Sequence, residues 1–204
     1  MVKDHQKANL AIVILAAGSS SRMKAVKQLL PWEGTTLLGT VIEQALKSSI
    51  QHVYVVLGAN YKLINKEIQK YPITILKNSE WELGMGTSIS YVFKHFSENK
   101  INFDGVMIVL GDQPFVDCQY LNELVVAFNK NNQEKIIATN YLNKTGVPAI
   151  FPPNNYEQLH QLKEDFGARK ILNSNSDNIY IINNGKVIID IDTDDEYKEA
   201  LKLK

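Results

Sequence analysis

The sequence has a single cysteine and no long apolar segment. Cys118 has no second thiol to pair with, so an internal disulfide is excluded, and this scarcity is typical of a reducing compartment. No run approaches the roughly 18 apolar residues that a membrane-spanning helix requires. Lys3 and Lys7 precede an apolar stretch, but that stretch is short and leads directly into a charged loop, which favours a strand over a signal peptide. We therefore predict a soluble, cytoplasmic protein.

The chain also has no excess of either charge, because 22 Lys and Arg residues balance 22 Asp and Glu residues. This balance gives no support to broad binding of nucleic acid or of a membrane surface. The glycine frames of P-loops, of dinucleotide-binding folds and of serine-hydrolase nucleophile elbows are all missing. The histidines have no metal-ligand spacing; they are His5, His52, His95 and His160.

What the sequence does contain is an apolar run that ends in a cationic, serine-rich loop. Residues 10–17 are uninterrupted apolar residues, and Gly18 follows them. Such a run is typical of a strand buried on both faces of a parallel sheet, and the loop after it lies where open α/β folds bind ligands. Small residues let the backbone approach a ligand, and Arg22 and Lys27 are suited to neutralising phosphate. The alternative is a solvated surface turn.

Strand and helix patterns then alternate along the chain. Helices are predicted over residues 37–46, 61–70, 89–96 and 117–129, and strands over residues 52–57, 73–76, 106–110, 136–139 and 146–151. Thr35 or Thr36 is expected to cap the first of these helices, and Asp117 the fourth. Two helical patches flank residues 165–169, a hairpin with an Asn-Gly turn is predicted over residues 179–189, and a final helix runs to residue 203. This order predicts one α/β domain over residues 1–204, with a mostly parallel sheet and a C-terminal β-hairpin and helix.

Acidic residues follow two of the predicted strands. Asp112 comes directly after residues 106–110, at the same sheet edge as the first loop, and Asp190 and Asp192 follow the predicted hairpin. Carboxylates in such positions suit a hard divalent cation that holds nucleotide phosphates. The alternatives are a turn aspartate that bonds its own backbone and, for the second pair, capping of the final helix by one of them or by Thr193, which is compatible with metal binding.

A further loop, residues 81–88, carries two glycines and two hydroxyls and opens a helix. Helix N-termini attract anions, and hydroxyls suit the edges of a ribose or a base. The alternative is an ordinary capped helix start, and Trp81 is interpreted as a core or lid residue.

Taken together, these segments resemble the MobA-like nucleotidyltransferase family, and most closely its MocA-type molybdenum cofactor cytidylyltransferases. Ala17, where guanylyl-transferring relatives usually have a second glycine, favours the cytidylyl type. The matching segments fall in the family's order: a phosphate loop at 15–23 and 27–31, a nucleotide segment at 81–89, a metal-binding turn at 111–114, and later motifs at 146–151, 165–169 and 190–194.

The resemblance implies a three-layer, Rossmann-like nucleotidyltransferase fold with a nucleotide-binding part over about residues 8–115 and an acceptor-binding part over about residues 116–204. It implies transfer of CMP from CTP to the phosphate of molybdopterin, Mg²⁺ as cofactor, and a molybdenum enzyme as recipient of the product. The implied catalytic residues are Arg22, Lys27 and Asp112, and the metal ligands Asp112, Asp192 and Asp190. Arg169 is implied on the acceptor side, and Leu15, Ala16, Ala17, Gly18, Lys27, Gly58, Asn78 and Ser88 around the nucleotide.

Two positions depart from the family pattern. Lys24 stands where the family usually has glycine, which adds a side chain to the phosphate loop, and Val147 replaces a residue that is usually polar in the acceptor pocket. Two alternative functions therefore stay open. One is nucleotidyl transfer to a sugar phosphate or another phosphorylated acceptor, and the other is a non-catalytic, nucleotide-binding accessory protein for the maturation of molybdenum enzymes.

Overall fold

The apolar run near the start of the chain forms strand β1 (Leu10–Ala16), in which every residue is buried. The computed structural model describes residues 7–141, 144–163, 167–174, 178–183 and 188–203. The further strands are β2 (Pro31–Trp32), β3 (Thr35–Thr36), β4 (His52–Leu57), β5 (Thr74–Lys77), β6 (Gly105–Leu110), β7 (Ile136–Tyr141), β8 (Lys144–Phe151) and β9 (Ile179–Ile182). The helices are α1 (Leu37–Lys47), α2 (Tyr61–Ile68), α3 (Met85–Glu98), α4 (Cys118–Lys130), α5 (Tyr156–His160), α6 (Arg169–Ser174) and α7 (Asp194–Lys202).

Seven of these strands form one sheet in the order β5-β4-β1-β6-β8-β7-β9. Strands β5, β4, β1 and β6 are parallel to one another, β8 is antiparallel to both β6 and β7, and β9 is parallel to β7. The predicted mostly parallel sheet is confirmed. Because β1 and β6 are parallel neighbours, the loops that follow them meet at one edge, where Gly111 N donates to Leu15 O at 2.9 Å.

Helices pack on both faces of the sheet, which confirms the predicted three layers. Ile12 and Ile14 of β1 point into a core shared with α1 and α4, whereas Val13 and Leu15 point into a core shared with α3. This alternation uses the two-residue period of a strand to bury both faces. Full burial of a large apolar side chain stabilises the fold by about 1.5–3 kcal/mol.

Helix starts are capped largely where the sequence predicts. Thr36 Oγ1 accepts from Gly39 N at 3.0 Å, and Asp117 Oδ1 accepts from Tyr120 N at 2.8 Å. At the final helix the cap is Thr193, whose hydroxyl accepts from Glu196 N at 3.2 Å. Neither Asp190 nor Asp192 is therefore the N-cap of α7.

The predicted C-terminal hairpin is only partly supported. Strand β9 forms as predicted, but it pairs in parallel with β7. The predicted turn and Val187 fall in residues 184–187, outside the described residues, and Ile188 and Ile189 are not in a strand. The sequence pattern identified the apolar strand but assigned it the wrong partner, because β7 offers a continuous backbone edge that lies far away along the chain.

A short hairpin that the sequence analysis did not predict joins β2 to β3, with positive φ angles at Glu33 and Gly34 of 43° and 81°. Two positive φ angles are typical of a tight hairpin turn. The hairpin carries Trp32, which is 2% exposed and packs with residues that precede and form α7. Tyr197 of α7 donates to Pro31 O at 2.6 Å, so the chain end is held beside the sheet edge.

Candidate active site

A cavity of about 480 Å³ lies at the sheet edge where β1 and β6 end. The loop after β1, the loop after β6, the start of α3 and the segment before α7 surround it. Many of the predicted site residues line this cavity: Leu15, Ala16, Ala17, Gly18, Arg22, Lys27, Ser88, Asp112, Asp190 and Asp192.

Two of the other predicted residues, Gly58 and Asn78, do not line the cavity but lie next to it. Gly58 lies behind Trp81, and a Cβ there would overlap the Trp81 side chain and come within 2.8 Å of Ala17 O. Asn78 is buried and donates to the hydroxyls of Thr87 and Ser88 at 3.0 and 3.1 Å. Both residues support parts of the cavity wall, and their contact with a nucleotide stays a prediction.

The predicted acceptor-side residue lies apart from the cavity lining. Arg169 begins helix α6 with an exposed side chain. Gly167, two residues earlier, adjoins the cavity-lining Met85, because a Cβ at Gly167 would lie 3.1 Å from Met85 Sδ. Asp165 of the same predicted motif lies outside the described residues. A role of Arg169 in acceptor binding therefore stays a prediction.

Four charged side chains form an ion-pair cluster inside the cavity. Lys27 Nζ lies 2.6 Å from Asp112 Oδ2 and 2.8 Å from Asp192 Oδ1, and Arg22 Nη2 lies 2.8 Å from Asp192 Oδ2. Lys27 and Asp112 are 14% and 16% exposed, so their pair is shielded from water, whereas Arg22 is 66% exposed. The phosphate loop, the turn after β6 and the segment before α7 thus meet at one lysine.

The cluster shifts the protonation equilibria of its members. Burial alone would lower the pKa of the Lys27 ammonium, but the two carboxylates outweigh burial and raise the pKa above its ordinary value. Burial raises the pKa of the Asp112 carboxyl, and Lys27 offsets only part of that rise. Burial also favours a higher pKa at Asp192, but Lys27 and Arg22 hold its pKa below the ordinary value. The lysine is therefore charged at neutral pH.

The carboxylates fit a divalent cation that is held partly by a substrate. Asp112 Oδ1 is buried and has no hydrogen-bond partner, while Asp190 Oδ1 accepts from Gln113 Nε2 at 2.7 Å. Among the described residues, no group of three or more His, Cys, Asp or Glu side chains is arranged to hold a metal ion. Mg²⁺ commonly binds through one or two carboxylates together with substrate phosphates, and Asp112 and Asp192 match that donor set.

Gln28 is a residue of the cavity wall that sequence reasoning missed: it received no role, and it lies under the phosphate loop. Trp81, interpreted as a core or lid residue, lines the cavity directly. The position of Gln28 next to Lys27 in the family-like segment was the available signal.

Comparison with known proteins agrees with this architecture. A family model described as the MobA-like NTP transferase domain matches residues 12–179. The chain belongs to the MobA-like NTP transferase family. The family resemblance predicted from the ordered segments is thereby confirmed, and this MobA-like chain is a nucleotidyltransferase.

Two relatives illustrate the range of proteins similar to this MobA-like chain. The purine catabolism protein PucB of Bacillus subtilis (strain 168) is 29% identical over 198 residues, which cover 91% of this chain and 92% of that protein. Nicotine blue oxidoreductase of Paenarthrobacter nicotinovorans is 32% identical over 116 residues, which cover 56% of this chain and 55% of that protein.

Solved structures share the fold. A homologue of Rv0371c from Mycobacterium sp. strain JC1 has a TM-score of 0.79 at 25% identity and covers 96% of both chains. Rv0371c of Mycobacterium tuberculosis H37Rv in complex with manganese has a TM-score of 0.76 at 23% identity, covering 95% of this chain and 98% of that one. A CMP:2-keto-3-deoxy-manno-octonic acid synthetase complexed with CTP has a TM-score of 0.71 at 13% identity, covering 95% and 97%. The last two show likeness of fold alone.

Substitution of Gly58 by alanine tests whether Trp81 is part of the nucleotide site. The added Cβ overlaps Trp81, so we expect Gly58→Ala to lower the free energy of unfolding by about 1–3 kcal/mol and to raise the KM for the triphosphate. Thermal or denaturant unfolding and steady-state kinetics measure the two effects. Gly18→Ala is the control for stability, because no atom lies within 4 Å of a Cβ at Gly18. Unchanged stability and KM in Gly58→Ala would contradict this assignment.

Proposed function

We propose that this nucleotidyltransferase transfers CMP from CTP to the phosphate of molybdopterin in the cytoplasm and releases pyrophosphate. The observation that carries the proposal is the ion-pair cluster: Lys27 and Arg22 face Asp112 and Asp192 in one cavity at the carboxyl edge of the sheet. Support for the cytidylyl type comes from Ala17, which lines that cavity. The single cysteine supports the cytoplasmic location.

The proposed reaction needs charge stabilisation and positioning more than proton transfer. An oxygen of the acceptor phosphate forms a bond to the α-phosphorus, and the bond from that phosphorus to the β-phosphate oxygen breaks. Pyrophosphate leaves with the electron pair. The attacking phosphate is already ionised at neutral pH, so no general base is required. Lys27 and Arg22 bind and orient the triphosphate and balance the charge that develops on the leaving pyrophosphate.

Mg²⁺ is the proposed cofactor. When bound, it supplies a Lewis-acid charge to the phosphate oxygens. Asp112 would hold it through the buried oxygen that has no protein partner, together with Asp192, and Asp190 lies on the same cavity wall. Bringing the triphosphate into the cavity gives Lys27 a third anionic partner beside the two carboxylates.

A substrate panel tests the proposed function. The purified protein is incubated with Mg²⁺, molybdopterin and each of CTP, GTP, UTP and ATP labelled in the α-phosphate. We expect a labelled dinucleotide product and pyrophosphate with CTP, and little of either with the other three. The same panel without molybdopterin is the control for hydrolysis of the triphosphate.

Each other outcome of the panel favours a different function. Transfer from GTP would overturn the choice of nucleotide and keep the acceptor. Transfer to a sugar phosphate but not to molybdopterin would overturn the acceptor. Tight binding of CTP without release of pyrophosphate would favour an accessory protein that delivers a nucleotide cofactor to a molybdenum enzyme.

A further inference from the structure

We propose that Gln28 is a positioning residue that shapes the phosphate loop, residues 16–22, for a triphosphate. The inference rests on the proposed binding of a nucleoside triphosphate in the cavity. Gln28 is 2% exposed and belongs to the short 3-10 helix Lys27–Leu29 that follows the loop. A glutamine this deeply buried must satisfy both ends of its amide, and all of its hydrogen bonds go to the phosphate loop.

The amide of Gln28 joins three points of the loop. Its Nε2 donates to Ala16 O at 3.2 Å and to Gly18 O at 2.9 Å, and its Oε1 accepts from the Ser20 hydroxyl at 3.1 Å. Carbonyl oxygens only accept hydrogen bonds, so the two carbonyl contacts fix which end of the amide is the NH₂ group.

The same network reaches the catalytic lysine. Ser20 has a φ of 59°, a left-handed conformation that is uncommon for a residue with a side chain. Its Oγ accepts from Lys27 N at 3.1 Å while its hydroxyl donates to Gln28. Gln28 and Ser20 therefore hold the loop and the backbone at Lys27 in one arrangement.

This arrangement favours an anion in the loop. Gln28 engages the carbonyl oxygen of Gly18, which lies beyond the end of β1 and would otherwise be free to turn toward the ligand and repel it. Within the part of the chain that the structure describes, the backbone amides of Ser19, Ser21 and Arg22 donate to no protein acceptor. Free amides in a turn are suited to phosphate, and the glutamine leaves them available.

The test separates triphosphate binding from general stability. Gln28→Met keeps the length of the side chain and removes both ends of the amide. The probes are inorganic tripolyphosphate, the nucleoside triphosphate that the wild type binds most tightly, and the matching nucleoside, all measured by calorimetry or by competition. We expect affinity for the two phosphate ligands to fall by about tenfold or more, and affinity for the nucleoside to stay within about twofold. In steady-state kinetics the KM for the triphosphate rises and that for the acceptor does not.

Gln44→Met is the matched control. Gln44 Oε1 accepts from Cys118 N at 3.0 Å, so this variant also loses a bond between a glutamine and the backbone, but away from the cavity. We expect it to change unfolding and to leave tripolyphosphate affinity as in the wild type. If Gln28→Met does not fold, Ser20→Ala breaks the same network at a more exposed residue, and its tripolyphosphate affinity is expected to fall as well.

Two results would overturn the role of Gln28: wild-type tripolyphosphate affinity in the variants, or an equal loss for tripolyphosphate and nucleoside, which indicates a merely structural role. Failure of the proposed function can be told apart from failure of the proposed role of Gln28. If the wild type binds tripolyphosphate but none of the four nucleoside triphosphates, the proposed substrate is wrong and the role of Gln28 is still decided by tripolyphosphate. If the wild type binds neither, both are overturned.

Discussion

Asp112→Asn is expected to reduce nucleotidyl transfer by about a thousandfold or more, because it removes a negative charge that the proposed metal ion requires. Loss of the metal would raise the activation free energy by several kcal/mol. The change keeps the shape of the side chain and lets its carbonyl oxygen accept from Lys27. Asp112 is buried, burial raises the pKa of its carboxyl, and Lys27 keeps Asp192 as a charged partner when the charge on Asp112 is removed. We therefore expect a folded variant with little loss of stability and no Mg²⁺-dependent release of pyrophosphate.

The control for this variant is Asp195→Asn on helix α7. Asp195 is 92% exposed and pairs with Lys198 at 3.1 Å, in the same part of the chain as Asp192 but away from the cavity lining. We expect wild-type turnover from the control. Calorimetric titration with Mn²⁺ and the triphosphate gives a second readout, in which Asp112→Asn should lose metal binding. Wild-type pyrophosphate release by Asp112→Asn would rule out the proposed metal role.

The sequence allowed Asp112 and the phosphate loop to be placed together because both follow apolar strands. Carboxyl ends of parallel strands meet at one edge, so the identification of residues 10–17 and 106–110 as buried strands was enough to bring Lys27 toward Asp112. The capping role of Asp117 was equally local, since an N-cap bonds an amide three residues along the chain. Predictions of this kind depend only on short stretches and on the direction of a strand.

Contacts between distant segments could not be read in the same way. Gly58 was predicted around the nucleotide, which stays a prediction, but its close approach to Trp81 is a contact between two loops that no periodicity encodes. The pairing of β9 with β7 likewise depends on an available sheet edge rather than on the Asn-Gly pattern. Gln28 received no role because its neighbours along the chain do not show that it is buried, although it follows Lys27 in the family-like segment.

Lys24 is one of the two departures from the family pattern, and the structure places its side chain outside the cavity lining. It stands where the family usually has glycine, but its side chain is exposed and does not line the cavity. Lys27, only three residues later, is largely shielded and bridges two carboxylates. Lys24 and Lys27 are the same residue type three positions apart, so they form a matched pair for mutagenesis.

Lys27→Met is expected to lower kcat/KM for the triphosphate by about a hundredfold or more, because a preorganised cation at the leaving phosphates is lost. It should also lower the free energy of unfolding by about 3 kcal/mol, since breaking a shielded ion pair leaves an uncompensated carboxylate in the interior. Lys24→Met is the control, and we expect it to change neither quantity by much. Steady-state kinetics and denaturant unfolding of the two variants make the comparison.

The dependence of the loss of stability in Lys27→Met on pH and on metal distinguishes Lys27 from an ordinary structural lysine. The carboxylates and ammonium of the wild type are mutually stabilising, and the raised pKa of Lys27 keeps that contribution present until the pH rises above about 10. Without the lysine, Asp112 loses the charge that lowers its pKa, so its folded pKa rises further above the unfolded value. Stability of the variant is then lost as pH rises between the unfolded and the folded pKa of Asp112. The difference in stability between the variant and the wild type should therefore be small at about pH 4 and large at about pH 7.

Millimolar Mn²⁺ should reduce this difference in stability at neutral pH by replacing the missing cation beside Asp112 and Asp192. A difference that is independent of both pH and Mn²⁺ would mean that Lys27 contributes packing alone.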